Sequence, residues 1–162
     1  MRVRRGVKAP DFTGHTVQGG EVSLESLRGR NVLLKFYRFA SCPICNLHVR
    51  ELVTSANELS AAGLTTVLFY HSPGPLIERK VRSKVPFDLV SDPAKVIFRE
   101  YGVESSWRAM LSIRVWRKYM RAMIAGFITW PVGHEGGMTG HPADFLIDAE
   151  GIVRYAHYGT DY

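Results

Sequence analysis

Apolar and polar positions along the chain fall into runs of two kinds. Asn31 to Tyr37 and Leu64 to Tyr70 are nearly continuous apolar stretches of strand length, as expected of buried parallel strands. Between them Leu47, Leu52, Val53, Ala56 and Leu59 recur at helical spacing, which predicts one helix from Pro43 to Ala62, ended by Gly63. Strand, helix and strand in about forty residues make a right-handed βαβ unit on a parallel sheet.

The flanking segments are shorter. Gly19-Gly20 is a turn signal before Glu21-Val22-Ser23-Leu24, and a helical turn follows over Leu24 to Leu27, closed by Gly29. Downstream the pattern predicts a helix over Pro75 to Val81, a strand over Phe87 to Val90, and a helix from Ser91-Asp92-Pro93 to Tyr101. Residues 106–125 read as a long helix: Leu111, Val115, Trp116, Tyr119, Met120 and Met123 share one face, with Arg114, Arg117, Lys118 and Arg121 opposite. Ile128 to Gly140 reads as a loop. Two strands, Ala143 to Ile147 and Ile152 to His157, close the chain around the turn Asp148 to Gly151.

Composition adds bounds. With 162 residues, 46% hydrophobic and 22% charged, the chain is expected to be a single domain, 1–162, able to bury one core. The net charge of +6 comes from two acid-free stretches, residues 1–8 and 108–121, and the remaining body is slightly negative. A basic face interleaved with aromatics is lacking, so nucleic acid is not an expected partner. No apolar run reaches the length of a membrane span, and the basic start is not followed by an apolar stretch. The expected location is the cytoplasm.

There, two cysteines three apart point to redox or metal chemistry rather than to a staple. Cys42 and Cys45, the only cysteines, sit at the seam between the first long strand and its helix. A thiol at a helix N-terminus meets unpaired N–H groups and the positive end of the helix dipole, and both favour the nucleophilic thiolate. A second cysteine one turn on can attack a mixed disulfide formed on the first. Arg38, four residues before Cys42, can add an opposite charge if it points into the groove. Pro43 suits the first helical turn because it lacks an N–H, and it stiffens the entry.

In order along the chain, Ala9-Pro10-Asp11-Phe12, Val22-Ser23-Leu24, Val32 to Tyr37, Cys42-Pro-Ile-Cys45, Gly140 to Asp148 and Gly151-Ile-Val together resemble the AhpC/TSA–redoxin, peroxiredoxin-like branch of the thioredoxin superfamily. The resemblance covers nearly the whole chain except an insertion at about 105–139. It implies an α/β, thioredoxin-like fold: a central mixed sheet flanked by helices, with a helical insertion before the last β-hairpin. It also implies that Pro142 is a cis-proline facing the cysteines across a groove. The His141 backbone would then pair with an extended peptide over the disulfide, and its side chain would bias partner choice.

The departures from that pattern rank the activities. Peroxiredoxins read Pro-x-x-x-Thr/Ser-x-x-Cys and add an arginine from a later strand to polarise peroxide. Aligned on Cys45, the proline position holds Arg38, the Thr/Ser position holds Cys42, and the place of the arginine holds Pro142. The same alignment puts Cys42 where thioredoxins carry their attacking thiol, and Phe36 where they keep a buried acid. Thiol–disulfide exchange, with Cys42 attacking and Cys45 resolving, is therefore the favoured reading. Its partners would be protein or low-molecular-weight thiols and disulfides. The alternative is a thiol peroxidase with Cys45 attacking peroxide and Cys42 resolving. A zinc site drawing on His48, His71, His134 or His141 lacks a second paired motif, and it ranks below both, as does a non-catalytic interaction module, whose cysteines would titrate like free thiols; no metal or other cofactor is expected. Thioredoxin-like domains usually cover the last strand pair with a C-terminal helix, which this sequence does not supply. Either the sequence is a trimmed domain, or the 106–124 helix or a second subunit covers that face.

Overall fold

Strand β3 (Asn31–Tyr37) is the centre of the molecule, and its apolar residues on both faces explain why it is paired on both edges. The computed structural model describes residues 2–81, 85–103, 120, 124 and 142–159. On one edge β3 runs parallel to β4 (Leu64–Tyr70), with Asn31 opposite Leu64 and Tyr37 opposite Tyr70. On the other it runs antiparallel to β6 (Ala143–Ile147), with Phe36 opposite Ala143. β5 (Asp88–Ser91) and β7 (Val153–Tyr158) complete a mixed sheet in the order β5-β4-β3-β6-β7. The architecture is that of a thioredoxin-like fold.

The helices and the N-terminal hairpin cover the two faces. α1 (Pro43–Thr54), α2 (Ala56–Ala61) and α3 (Gly74–Lys80) follow the strands as the βαβ reading requires. The single helix expected over Pro43 to Ala62 is broken. Ser55 leaves helical geometry at ψ 7°, its N–H reaches back to Leu52 and Val53, and the chain restarts as α2. Gly63 then ends α2 at a φ of +71°, which a side chain would resist. Near the N-terminus, β1 (Thr13–His15) pairs with β2 (Glu21–Ser23), a hairpin whose first strand has no apolar signature. β1 lies tight against β5: a Cβ on Gly14 would come within 2.5 Å of a Val90 methyl.

α4 (Val96–Glu100) starts four residues later than Asp92, where the sequence suggested. Asp92 is still what begins it. Its carboxylate, 7% exposed, accepts hydrogen bonds from the backbone N–H groups of Val96, Ile97 and Phe98 at 2.9, 2.8 and 3.2 Å. Capping side chains contribute about 0.5–2 kcal/mol, and three charged bonds put this one at the upper end. Asp92→Ala is expected to cost about 2 kcal/mol in urea unfolding, with Asp92→Asn recovering part of it.

Side chains divide between two buried clusters, one on each face. Val32, Leu34 and Phe36 point to one face with Phe69, Val90, Phe145 and Ile147, where Phe12, Leu24, Phe98 and Tyr101 cover them. Tyr37, Leu68, Tyr70 and Leu89 point to the other, against Ile44, Cys45 and Val49 of α1 and Ile77 of α3. On that second face a half-buried Lys35–Asp144 ion pair (2.7 Å) joins β3 to β6, and β7 carries an exposed, stacked Tyr155–His157 pair. That part of the sheet is thus a mixed surface, not the contiguous apolar patch a missing cover would leave. The helix expected over 106–125 and the loop after it lie outside the described residues, apart from Met120 and Ile124, which are helical and exposed.

Candidate active site

The two cysteines are set by the start of α1. The apolar strand β3 ends at Tyr37, and the chain turns over Arg38 to Ser41 before entering the helix at Pro43. Ala40 is fixed there by a 2.8 Å hydrogen bond from its N–H to the Ser72 hydroxyl, and the Asn46 amide donates to the Ala40 and Cys42 carbonyls at 2.9 and 3.0 Å. Cys42 is the residue that caps the helix, with extended backbone at φ −68° and ψ 117°. Its Sγ accepts a hydrogen bond from the Cys45 backbone N–H at 3.4 Å. Pro43 occupies the first turn, where its missing N–H costs nothing.

Both thiols are free, buried at 4% and 6% exposure, and unlike each other. Hydrogen bonding from the Cys45 thiol holds the Cys42 thiol below the ordinary cysteine range. Burial opposes that shift, while the Cys45 N–H, the Arg38 guanidinium and the Ile44 N–H support it. Burial pushes the Cys45 thiol well above its ordinary value, and its hydrogen bond to Cys42 and the charge there push it further. Of the two, Cys42 is therefore the thiol that ionises more readily and Cys45 the one that keeps its proton. Proximity and asymmetry are what nucleophile and resolver need.

A narrow cleft opens on this pair. Arg38 lines it with Cys42 and Cys45, so its charge does face the thiols, and Pro142 closes it from the start of β6. Tyr37, Ile44 and His48 complete the walls. The structure thus brings together four of the expected residues, Arg38, Cys42, Cys45 and Pro142, with Pro43 adjoining at the helix entry. His141 lies outside the described residues, and with it the peptide bond to Pro142 expected to be cis. His134 lies outside them too. Among the described residues no cluster of three or more His, Cys, Asp or Glu side chains has the arrangement to hold a metal ion.

From the sequence His48 is a candidate only as a zinc ligand, in the lowest-ranked reading, and Tyr37 is not a candidate site residue. A lone histidine on a helix looks like any solvated one, and its distance of three from Cys45 was the available signal. Behind the cleft Tyr70 stacks on Tyr37 at 5.4 Å between ring centroids. Its hydroxyl is buried without a hydrogen-bond partner among the described residues, and burial, followed by charge on Cys45 and Cys42, raises its ionisation well above the ordinary phenol. An unpaired buried hydroxyl costs about 1–3 kcal/mol, and this one sits in the same apolar cluster as the dithiol.

Known proteins resemble this chain in sequence and in fold. The model of the AhpC/TSA family matches residues 5–156. A Mycobacterium tuberculosis relative that carries a peroxiredoxin name is 32% identical over 102 residues, which is 62% of this chain and 65% of the relative, just under two thirds of its length. Peroxiredoxin Bcp of Escherichia coli is 25% identical over 154 residues, 94% of this chain and 84% of that protein. Among solved structures, peroxidoxin BcpB of Mycobacterium tuberculosis superposes with a TM-score of 0.73 at 17% identity, covering 98% of this chain and 87% of the other. A Chlorobium tepidum protein described as a thiol:disulfide interchange protein of the DsbE kind superposes with 0.64 at 23% identity, covering 97% and 86%. These two superpositions carry the fold.

Proposed function

The chain belongs to the AhpC/TSA family, and from that membership and the geometry of its cysteine pair we propose that it is a thiol–disulfide oxidoreductase. One observation carries the reading: the Cys42 sulfur caps α1 and accepts the Cys45 N–H, so negative charge is favoured on it. The Cys42 thiolate attacks a substrate disulfide and one substrate thiolate leaves. Cys45 then gives up its proton and attacks Cys42 Sγ. The internal disulfide forms as the mixed one breaks, and the second substrate sulfur leaves reduced. An external thiol regenerates the pair, which puts the protein in a reducing compartment such as the cytoplasm. Arg38 supports the thiolate, and Pro43, His141 and Pro142 shape the approach of an extended or small disulfide. Among the described residues no helix is long and apolar enough to cross a membrane. A second copy of the chain is a further proposed partner, supported by the exposed Tyr155 ring on edge strand β7.

Peroxide reduction is the second reading, favoured by the peroxiredoxin names of the relatives. In it Cys45 is the residue oxidised to sulfenic acid and Cys42 resolves it. The two readings separate in one experiment. Reduced protein mixed with hydrogen peroxide in a stopped-flow cell is expected to react at about the rate of a free thiol, while insulin is reduced briskly with dithiothreitol as donor. A peroxide rate far above that of a free thiol would reverse the order. Cys45→Ser, incubated with glutathione disulfide, is expected to hold one glutathione on Cys42, seen as a mass increase that dithiothreitol removes.

A further inference from the structure

The exchange reaction leaves one question of proton transfer. Cys45 is buried and held as the thiol, yet it must become a thiolate to resolve the mixed disulfide. The acid that thioredoxins keep in the preceding strand is absent here, and Phe36, in its place, belongs to the cluster on the opposite face of the sheet. A proton acceptor must come from elsewhere in the cleft.

His48 is on α1, three residues beyond Cys45, and residues at that spacing stand about 5–6 Å apart at Cβ on one helix face. It is half-buried and lines the cleft together with Cys42 and Cys45. Among the described residues the remaining titratable groups that face the cleft are Tyr37 and Arg38, at the end of β3 and just after it, while Pro142, just before β6, brings no charge. A guanidinium does not give up its proton in a protein, and a phenol ordinarily titrates far above neutrality. Imidazole is the side chain that both accepts and donates near pH 7.

We propose that His48 takes the proton of the Cys45 thiol and passes it to the departing substrate sulfur. This rests on the thiol-exchange reading. The Cys45 S–H bond breaks as an N–H bond forms on the imidazole. The thiolate attacks Cys42 Sγ, the Cys42–Cys45 bond forms, and the bond from Cys42 to the substrate sulfur breaks with its electron pair on the substrate. That thiolate takes the proton from the imidazolium, so the imidazole ends neutral. The substrate disulfide has gained two electrons and two protons, one proton delivered by this route, and the dithiol is oxidised.

The test separates the two chemical steps in His48→Gln, which keeps a good helix former at the position. Glutathione disulfide is the probe. The rate of its attack by reduced protein is followed first, then release of glutathione from the mixed disulfide, each across pH 5–9. Attack by Cys42 is expected to stay within about twofold, which also shows the variant to be folded. Release is expected to fall about 10²-fold at pH 7, in the range that general acid–base groups contribute. It should also lose its inflection near the imidazole range and rise steadily with pH. Imidazole in the buffer is expected to restore part of the release rate in His48→Ala. An unchanged release rate and pH profile in His48→Gln would overturn the proposal, as would equal slowing of both steps. Failure of the thiol-exchange reading shows differently: Cys45→Ser would then trap no glutathione at all, whatever residue 48 is.

Discussion

Cys42→Ser is expected to abolish disulfide reduction, lowering insulin turnover on the order of 10⁴-fold or more, to the background of dithiothreitol alone. A serine hydroxyl can keep the hydrogen bond from the Cys45 N–H, so the helix retains its cap and the fold its stability. The loss would then be chemical. In the wild-type protein the Cys42 thiol is held below the ordinary range by the hydrogen bond from Cys45, with help from Arg38 against burial. Its reactivity should therefore persist as pH falls below the range where a free thiol protonates, and disappear only when the pH passes through the lowered value. Alkylation of Cys42 by iodoacetamide across pH 4–9 measures this. A rate that tracks a free cysteine would contradict the assignment of Cys42 as the thiolate. Arg38→Ala should move the same curve toward higher pH, because the guanidinium favours the charged form.

Phe36→Ala is the other large effect, and it falls on stability. The Phe36 ring is 1% exposed, stacks on Phe69 at 4.7 Å, and meets Phe98, Tyr101 and Phe145 edge-on or tilted at 5.0, 5.2 and 5.6 Å. Removing a buried Phe side chain costs about 3–5 kcal/mol, since the cavity adds to the lost transfer energy. Whole domains are stable by about 5–15 kcal/mol. The urea midpoint should fall by a third or more of its wild-type value if the slope is unchanged, where wild-type stability is about 10 kcal/mol. A drop under about 1 kcal/mol would mean that the four remaining rings repack around the gap. Phe36→Asp should be worse still, because its carboxylate would be buried without a partner, on the face away from the cysteines.

The same residues show what could be read beforehand. β3 and β4 match the expected strands at both ends because their apolar runs are long enough to demand burial on two faces, and β6 matches through the alternation that buries Ala143, Phe145 and Ile147 on one face. β5 and β7 lie one residue from the expected strands, as unanchored ends do. The break at Ser55 was hidden, since apolar spacing continues across it and the backbone bonds that end α1 leave no mark on composition. β1 was hidden for the opposite reason. Thr13-Gly14-His15 has no strand pattern, and what holds it is a close approach to Val90 that only tertiary packing creates. At the site, the cysteine spacing announced the chemistry, while the place of Arg38 in the cleft lining was not legible, since a strand-end charge is as readily solvated. His48 required the groove to be visible.

One sulfur serves both the chemistry and the architecture. In the proposed exchange Cys42 Sγ is the nucleophile, and it is also the clasp on the first turn of α1, through the Cys45 N–H. Once that sulfur is bonded to another it carries no negative charge and is a poorer acceptor, so the amide of the resolving residue is released at the moment that residue has to move. The helix end acts as a latch that is opened by its own substrate: capture of a disulfide loosens the turn, and return to the dithiol fastens it again.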